Sequence, residues 1–222
     1  MKAFLYRQNS EIDNFSIVEE IIDKPTIEPT EVLVSVKSVA INPGETQMRR
    51  WMAPPTNGFI VMGYEFSGVV EEVGTMVQGV NIADQVFGIG SPLKTAAYAD
   101  YIAVDYRATN QFDCNIPFNE AAALPTSALT AWQAIFRQNQ QLPADSRTML
   151  VLGAAGGVGS MAVQLLKART TATVIATASR SESVAWLKQM GADIIIDHHK
   201  DIQTQLKAAG IDQVDQVFAV ND

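Results

Sequence analysis

Cysteine is nearly absent. Cys114 stands alone among 222 residues, which excludes an internal disulfide framework and any structural zinc lobe built from several thiolates. So little cysteine fits a reducing compartment, and we expect a cytoplasmic protein. Histidine is almost as scarce: the two that exist, His198 and His199, are adjacent, and neighbours of that kind struggle to reach one metal together. Basic charge is also in deficit. Sixteen Lys+Arg against 24 Asp+Glu leave a net charge of −8, which argues against nucleic acid or an anionic membrane as the main partner. The start, Met1 to Arg7, has no apolar core of the kind a secretory signal needs. The one long uncharged stretch, Thr148 to Leu166, is interrupted by glycines, Ser160 and Gln164. Its apolar half is too short for the ~20 residues of a membrane span, so it reads as a buried strand, turn and helix.

What is present is globular material. Hydrophobic residues make up 47% of the chain and charged residues 18%, with no low-complexity tract that would suggest disorder. At ~150 residues per domain the length allows one large domain or two modest ones. The first part reads as β structure with Gly and Pro punctuation. Val32, Val34 and Val36 alternate with Leu33, Ser35 and Lys37, which suggests a strand with one better-buried side. From Gly63 to Gly88, apolar pairs are broken at Gly68, Gly74 and Gly79, as in short strands of a small barrel or sandwich.

From about Glu120 the texture changes. Ala121 to Phe136 carries no charge and suits a buried helix beginning just after Pro125. Strands are expected at 148–152, 173–177, 194–196 and 214–220, with helices at 158–167, 182–190 and 202–209 between them. Gly191 and Gly210 close the last two helices. Strands alternating with helices imply a doubly wound parallel sheet, so the expected domains are 1–124 and 125–222.

Gly153-Ala154-Ala155-Gly156-Gly157-Val158-Gly159 lies between the first of these strands and its helix. Against the dinucleotide fingerprint G-x-G-x-x-G it supplies the second and third glycines as Gly156 and Gly159, with Ala154 at the first position. Gly156 lets the backbone approach a pyrophosphate, and Gly159 lets helix and strand pack closely. The N–H groups of the helix start, around Ala155, Gly156, Gly157, Val158 and Gly159, face the phosphates. The acidic residue that grips the ribose of NAD is missing from the end of the second strand, where Ser179 and Arg180 stand instead. A hydroxyl and a guanidinium suit a 2′-phosphate, so the expected cofactor is NADPH.

Several blocks taken together resemble the medium-chain dehydrogenase/reductase superfamily, in its zinc-independent quinone oxidoreductase and zinc-type alcohol dehydrogenase-like branch. They are Val39 to Thr46, Gly63 to Gly74, Asp84 to Gly88, Leu124 to Trp132 and Gly153 to Gly159, in the family's order and across nearly all of the chain. The resemblance implies an α/β protein: an N-terminal GroES-like, β-barrel-type catalytic domain, then a Rossmann doubly wound parallel sheet, with the cofactor in the cleft between them. It implies a homodimer or homotetramer for the full-length protein. It also places Asn42 and Thr130 near the nicotinamide and its ribose, and makes Tyr64 the candidate to hydrogen-bond the substrate oxygen. His198, where related reductases carry an aromatic residue, becomes a candidate contact near the adenine ribose phosphate.

The departures from the family pattern bear on mechanism. Zinc-dependent members carry a Cys and a His as catalytic ligands, where this chain has Asn42-Pro43 and Tyr64. Without a Lewis acid there is no obvious way to stabilise an alkoxide, whereas quinones and α,β-unsaturated carbonyls delocalise the charge that a hydride brings. The expected activity is therefore NADPH-dependent reduction of a quinone or enone without zinc, with that small-molecule acceptor as the partner. A non-catalytic NADPH-binding redox sensor or structural protein is the alternative, and a zinc-type alcohol dehydrogenase the second. A sheet of this type has strand order 3-2-1-4-5-6 and only four strands are found. We therefore expect a Rossmann sheet truncated after its fourth strand, with 214–220 left as an open edge.

Overall fold

The computed structural model describes residues 1–8, 17–91, 94, 96–136 and 147–219. The chain divides into two compact units, Met1–Thr126 and Ser127–Asp222.

In the first unit, β1 (Lys2–Tyr6), β2 (Val18–Ile21), β3 (Glu31–Val39), helix α1 (Pro43–Trp51), β4 (Ile60–Val61) and β5 (Glu65–Val73) follow one another. They are succeeded by β6 (Gln85–Ile89), β7 (Tyr101–Asp105), β8 (Thr109–Gln111) and a short helix α2 (Phe118–Ala122). Among the described residues these strands form a five-stranded sheet of order β7-β3-β5-β6-β8 and a three-stranded sheet of order β2-β1-β4. All their pairings are antiparallel, as β-rich sequence with glycine turns leads one to expect. Val32, Val34, Phe66, Val70, Val86, Ile102 and Val104 interlock as the core on one face of the larger sheet.

Two expectations are corrected here. Leu33 is as buried as Val32 and Val34, so the first half of β3 is covered on both sides. Ser67, on the face opposite Phe66, donates to the Phe118 carbonyl at 2.6 Å, and α2 packs over β3 and β5 there. Gly68 does not break a strand but lies inside β5. A Cβ at that position would stand 2.3 Å from the Ser35 carbonyl oxygen of β3, so the glycine serves close backbone approach rather than a turn. The real breaks are Gly74, just past β5, and Gly79 with φ +74°.

The helix expected just after Pro125 stands where read, while the first two residues of the uncharged run, Ala121 and Ala122, end α2. Between α2 and α3 (Pro125–Phe136) the chain leaves helical geometry, because a residue preceding proline is pushed out of the α region. But α3 is not buried all round: Ala131 and Phe136 are buried, while Leu129 and Trp132 are exposed.

The second unit alternates as read from sequence. β9 (Thr148–Leu152), α4 (Gly157–Arg169), β10 (Thr173–Thr177), α5 (Ser181–Gln189), β11 (Ile194–Ile196), α6 (Ile202–Ala208) and β12 (Gln216–Ala219) form an all-parallel sheet of order β11-β10-β9-β12. Alternate residues point to opposite faces. Met149, Val151, Val174 and Ala176 meet Val163, Leu166 and Leu187 of α4 and α5 on one face. Leu150, Ile175 and Ile196 meet Leu206 of α6 on the other. Gly191 (φ +97°) and Gly210 (φ +77°) take the left-handed positions just past α5 and α6. β12 is shorter than the expected 214–220, of which Val220 lies outside the described residues. Among the described residues it pairs with β9 alone, and Val217 is 54% exposed. Among the described residues no helix is long and apolar enough to cross a membrane.

Candidate functional site

In the first unit the predicted residues Asn42 and Tyr64 are held by carboxylates that sequence reading passed over. Asn42 is the N-cap of α1, and Pro43 opens the helix. Glu45, in the first turn and 1% exposed, accepts hydrogen bonds from the backbone N–H of Asn42 (3.0 Å) and of Tyr64 (3.0 Å). The Tyr98 hydroxyl donates to the same carboxylate. Tyr98 reaches it because Gly63 has φ +98° and no side chain; a Cβ there would stand 2.4 Å from the Tyr98 ring. Glu65, also 1% exposed, accepts from Asn42 Nδ2 (2.7 Å) and from the Thr126 backbone N–H (2.7 Å). One signal for this cluster was in the sequence: Asn42-Pro43-Gly44-Glu45 carries the N-x-x-E spacing of a capping box with proline at the first helical position.

Burial, and then the charge of Glu45, raises the Tyr64 hydroxyl above the ordinary tyrosine value. Burial followed by the hydrogen bond to Glu45 does the same, more strongly, to Tyr98. The Tyr64 hydroxyl lies 3.2 Å from Met48 Sδ, a weak acceptor. Met48 itself is core, packed with Tyr6, Ile60 and Met62.

In the second unit the glycine turn joins β9 to α4. Gly153, one residue before the fingerprint's first position, takes the left-handed conformation at φ +66°. Gly159 is forced by packing, since a Cβ would stand 2.3 Å from the Gly153 carbonyl oxygen and 2.6 Å from Ala154 Cα. Gly156 is different. Its φ of −76° suits any residue, and a Cβ would meet only the Gly153 oxygen at 3.4 Å, an ordinary contact. Gly156 is the N-cap of α4 and brings no side-chain hydrogen bond to the first N–H groups, those of Gly157, Val158 and Gly159. A Cβ on Gly157 would come within 3.0 Å of Ser127 Oγ. Buried Thr177, at the end of β10, ties the turn down: its hydroxyl accepts from Gly153 N–H at 3.1 Å and donates to the Val151 carbonyl at 3.3 Å.

Beside the turn is a cavity of about 700 Å³ lined by Leu152, Gly153, Ala155, Gly156, Thr177, Ala178, Ser179, Arg180, Ser183, His198, His199 and Ile202. Five predicted residues meet there: Ala155, Gly156, Ser179, Arg180 and His198. Gly157, Val158 and Gly159 continue from its edge into α4. Thr130 is exposed on α3 and is not part of this lining. Ser183 and His199 line the cavity without having been singled out. Ser183 escaped notice because it lies inside α5, and its place follows from Arg180 being that helix's N-cap. No acidic side chain is among the lining residues.

The residues fit a dinucleotide phosphate in three ways. A Cβ at Gly156 would meet no atom within 4 Å but the Gly153 oxygen, helix N–H groups have no side-chain cap, and cationic and hydroxyl groups line a cavity free of carboxylate. They do not fit a catalytic zinc. Asn42 and Tyr64 offer neither thiolate nor imidazole, and both oxygens of Glu65 already accept N–H donors. Among the described residues no three His, Cys, Asp or Glu side chains converge as a metal-holding group.

An antiparallel GroES-like unit followed by a parallel Rossmann-type sheet with a glycine turn after its first strand defines a two-domain dehydrogenase architecture. Family comparison agrees: residues 28–114 match the alcohol dehydrogenase GroES-like domain and residues 157–221 the zinc-binding dehydrogenase domain. A zinc-type alcohol dehydrogenase-like protein of Staphylococcus aureus is 37% identical over 199 residues, covering 88% of this chain and 58% of the relative. The 2-methylene-furan-3-one reductase of Solanum lycopersicum is 32% identical over 209 residues, covering 90% and 53%. Among solved structures, a Rhizobium etli protein described as a zinc-dependent alcohol dehydrogenase superposes with a TM-score of 0.92 at 36% identity, covering 100% of this chain and 66% of that one. A quinone oxidoreductase of Pseudomonas syringae gives 0.80 at 28% identity, covering 97% and 65%. The chain belongs to the medium-chain dehydrogenase/reductase superfamily, a family of oxidoreductases, and spans 58% or less of the length of these two curated relatives.

Proposed function

We propose that this chain provides the NADPH site and part of the acceptor site of an oxidoreductase that reduces a quinone or an α,β-unsaturated carbonyl without catalytic zinc. Residues 1–124 act as the catalytic domain and 125–222 as the NADP-binding domain. The observation that carries this reading is Gly156, a glycine that neither its backbone angles nor its neighbours require, set beside a cavity whose charged lining residue is Arg180. A pyrophosphate against the start of α4 explains the first, and a 2′-phosphate against Arg180, Ser179 and His198 explains the second.

When bound, NADPH supplies the hydride, and the protein's residues position and polarise. Asn42 gives its Nδ2 to Glu65, which fixes the amide in orientation for a contact with a ribose hydroxyl. Tyr64, raised above the ordinary tyrosine value, keeps its proton at neutral pH and acts as a donor rather than a base. Its weak contact with Met48 Sδ is readily exchanged for a carbonyl oxygen on which negative charge develops. The names of the tomato and Pseudomonas relatives support this acceptor class.

Following NADPH absorbance with a panel of quinones and enals tests the proposal. Consumption with at least one of them, by protein that elemental analysis finds free of zinc, is the expected result. NADPH binding with no turnover across the panel favours a non-catalytic role, and stoichiometric zinc would return the reading to alcohol dehydrogenase chemistry.

A further inference from the structure

The phosphate cavity holds two titratable rings, of which the cofactor reading uses one. His198 and His199 follow β11, both are exposed, their ring centroids stand 4.3 Å apart, and both line the cavity with Arg180, Ser179 and Ser183. We propose that the two histidines act with Arg180 as a proton-dependent site for the 2′-phosphate, with His199 a further specificity determinant, so that the preference for the phosphorylated cofactor rises as pH falls. This rests on the NADPH reading above.

The surroundings favour that behaviour. On the turn after β11, the Asp197 carboxylate accepts the His199 backbone N–H at 3.0 Å and lies 3.6 Å from Lys200 Nζ. Asp201 caps α6 through the Thr204 N–H at 2.7 Å. From β10 and α5 come Arg180 and, in the first turn of α5, Glu182. The turn between β9 and α4 brings no ionisable side chain. Of these groups only Arg180 lines the cavity. Both rings thus face the same cavity as a guanidinium, with no carboxylate among its lining residues. A phosphate dianion placed there favours the charged form of each ring, so binding should draw protons onto them, and by linkage protons should tighten binding. Histidine changes charge between about pH 5 and 8. A phosphate monoester loses its second charge below about pH 6, so the effect belongs between about pH 6 and 8.

The test is calorimetric titration of the protein with 2′,5′-ADP and with 5′-AMP across that range, in buffers of differing ionisation enthalpy. We expect the preference for 2′,5′-ADP to be about tenfold greater near pH 6 than near pH 8, the size of one added charge-assisted contact. Net proton uptake should accompany binding of 2′,5′-ADP and not of 5′-AMP. The double variant His198→Gln/His199→Gln should keep a smaller, pH-independent preference through Arg180, and His199→Gln alone should lose part of the pH dependence. A preference that is flat in pH, with no proton uptake by the unaltered protein, overturns the inference and leaves the NADPH reading standing. Equal affinity for the two nucleotides at every pH overturns the NADPH reading itself.

Discussion

Gly156 and Gly159 occupy the same turn for opposite reasons, and single substitutions separate them. Gly159→Ala drives a methyl group into the Gly153 carbonyl and should lower stability by about 1 to 3 kcal/mol, read from the urea midpoint. Gly156→Ala should change that midpoint by no more than about 1 kcal/mol while weakening NADPH binding about tenfold or more, measured by fluorescence titration. Arg180→Ala should cut the NADPH-over-NADH preference by about 10- to 150-fold, since a hydrogen bond to a charged group is worth about 1.5 to 3 kcal/mol. An unchanged ratio of catalytic efficiencies would remove Arg180 from cofactor choice. In the first unit, Tyr64→Phe gives up only a weak contact to sulfur, so the fold should be indifferent to it. If Tyr64 is the donor, kcat should fall about 100-fold or more, and retained turnover would take its hydroxyl out of the mechanism.

The elements differ in how openly the sequence announced them. The strands at 148–152, 173–177 and 194–196 stand where read, because short apolar runs bounded by turn residues have little freedom in a parallel sheet. Helix α1 was passed over because it buries Glu45 and Arg49 as well as Met48, a face that no apolar periodicity reveals. For the same reason Asn42 and Tyr64 were legible as candidates while Glu45, Glu65 and Tyr98, which hold or surround them, were not. Their partners lie up to 61 residues away, beyond the reach of local pattern. A similar long-range contact pins β9 to the approach to β12. Asp215 accepts from the backbone N–H groups of Thr148 (2.7 Å) and Arg147 (2.7 Å) and from the Thr148 hydroxyl (2.9 Å). The Thr148 backbone bond leads in holding its carboxyl below the ordinary value. A depressed folded value means that the stability it lends is present above the unfolded value of about 4 and is lost as pH falls through the folded one. Urea midpoints measured from about pH 5 down to about pH 3 should therefore fall less steeply in Asp215→Asn than in the unaltered protein.

At the scale of the molecule, the two compact units give ligand binding a local signature. Saturating NADPH, at about 100 times its dissociation constant, should stabilise the state that binds it by about 2.7 kcal/mol. Hydrogen exchange should show the gain first in the amides of β9, α4, β10 and α5, and a gain confined to the first unit would contradict the placement of the site. Thr177 adds a last consequence. One hydroxyl fastens the start of the glycine turn to the end of β10, so the α4 start and the Arg180 cavity sit on a common rigid mount. Their separation becomes a fixed gauge length. On the proposed reading, the protein measures the distance between two phosphates as well as their charge, and a nucleotide with the right groups at the wrong spacing should be refused by geometry alone.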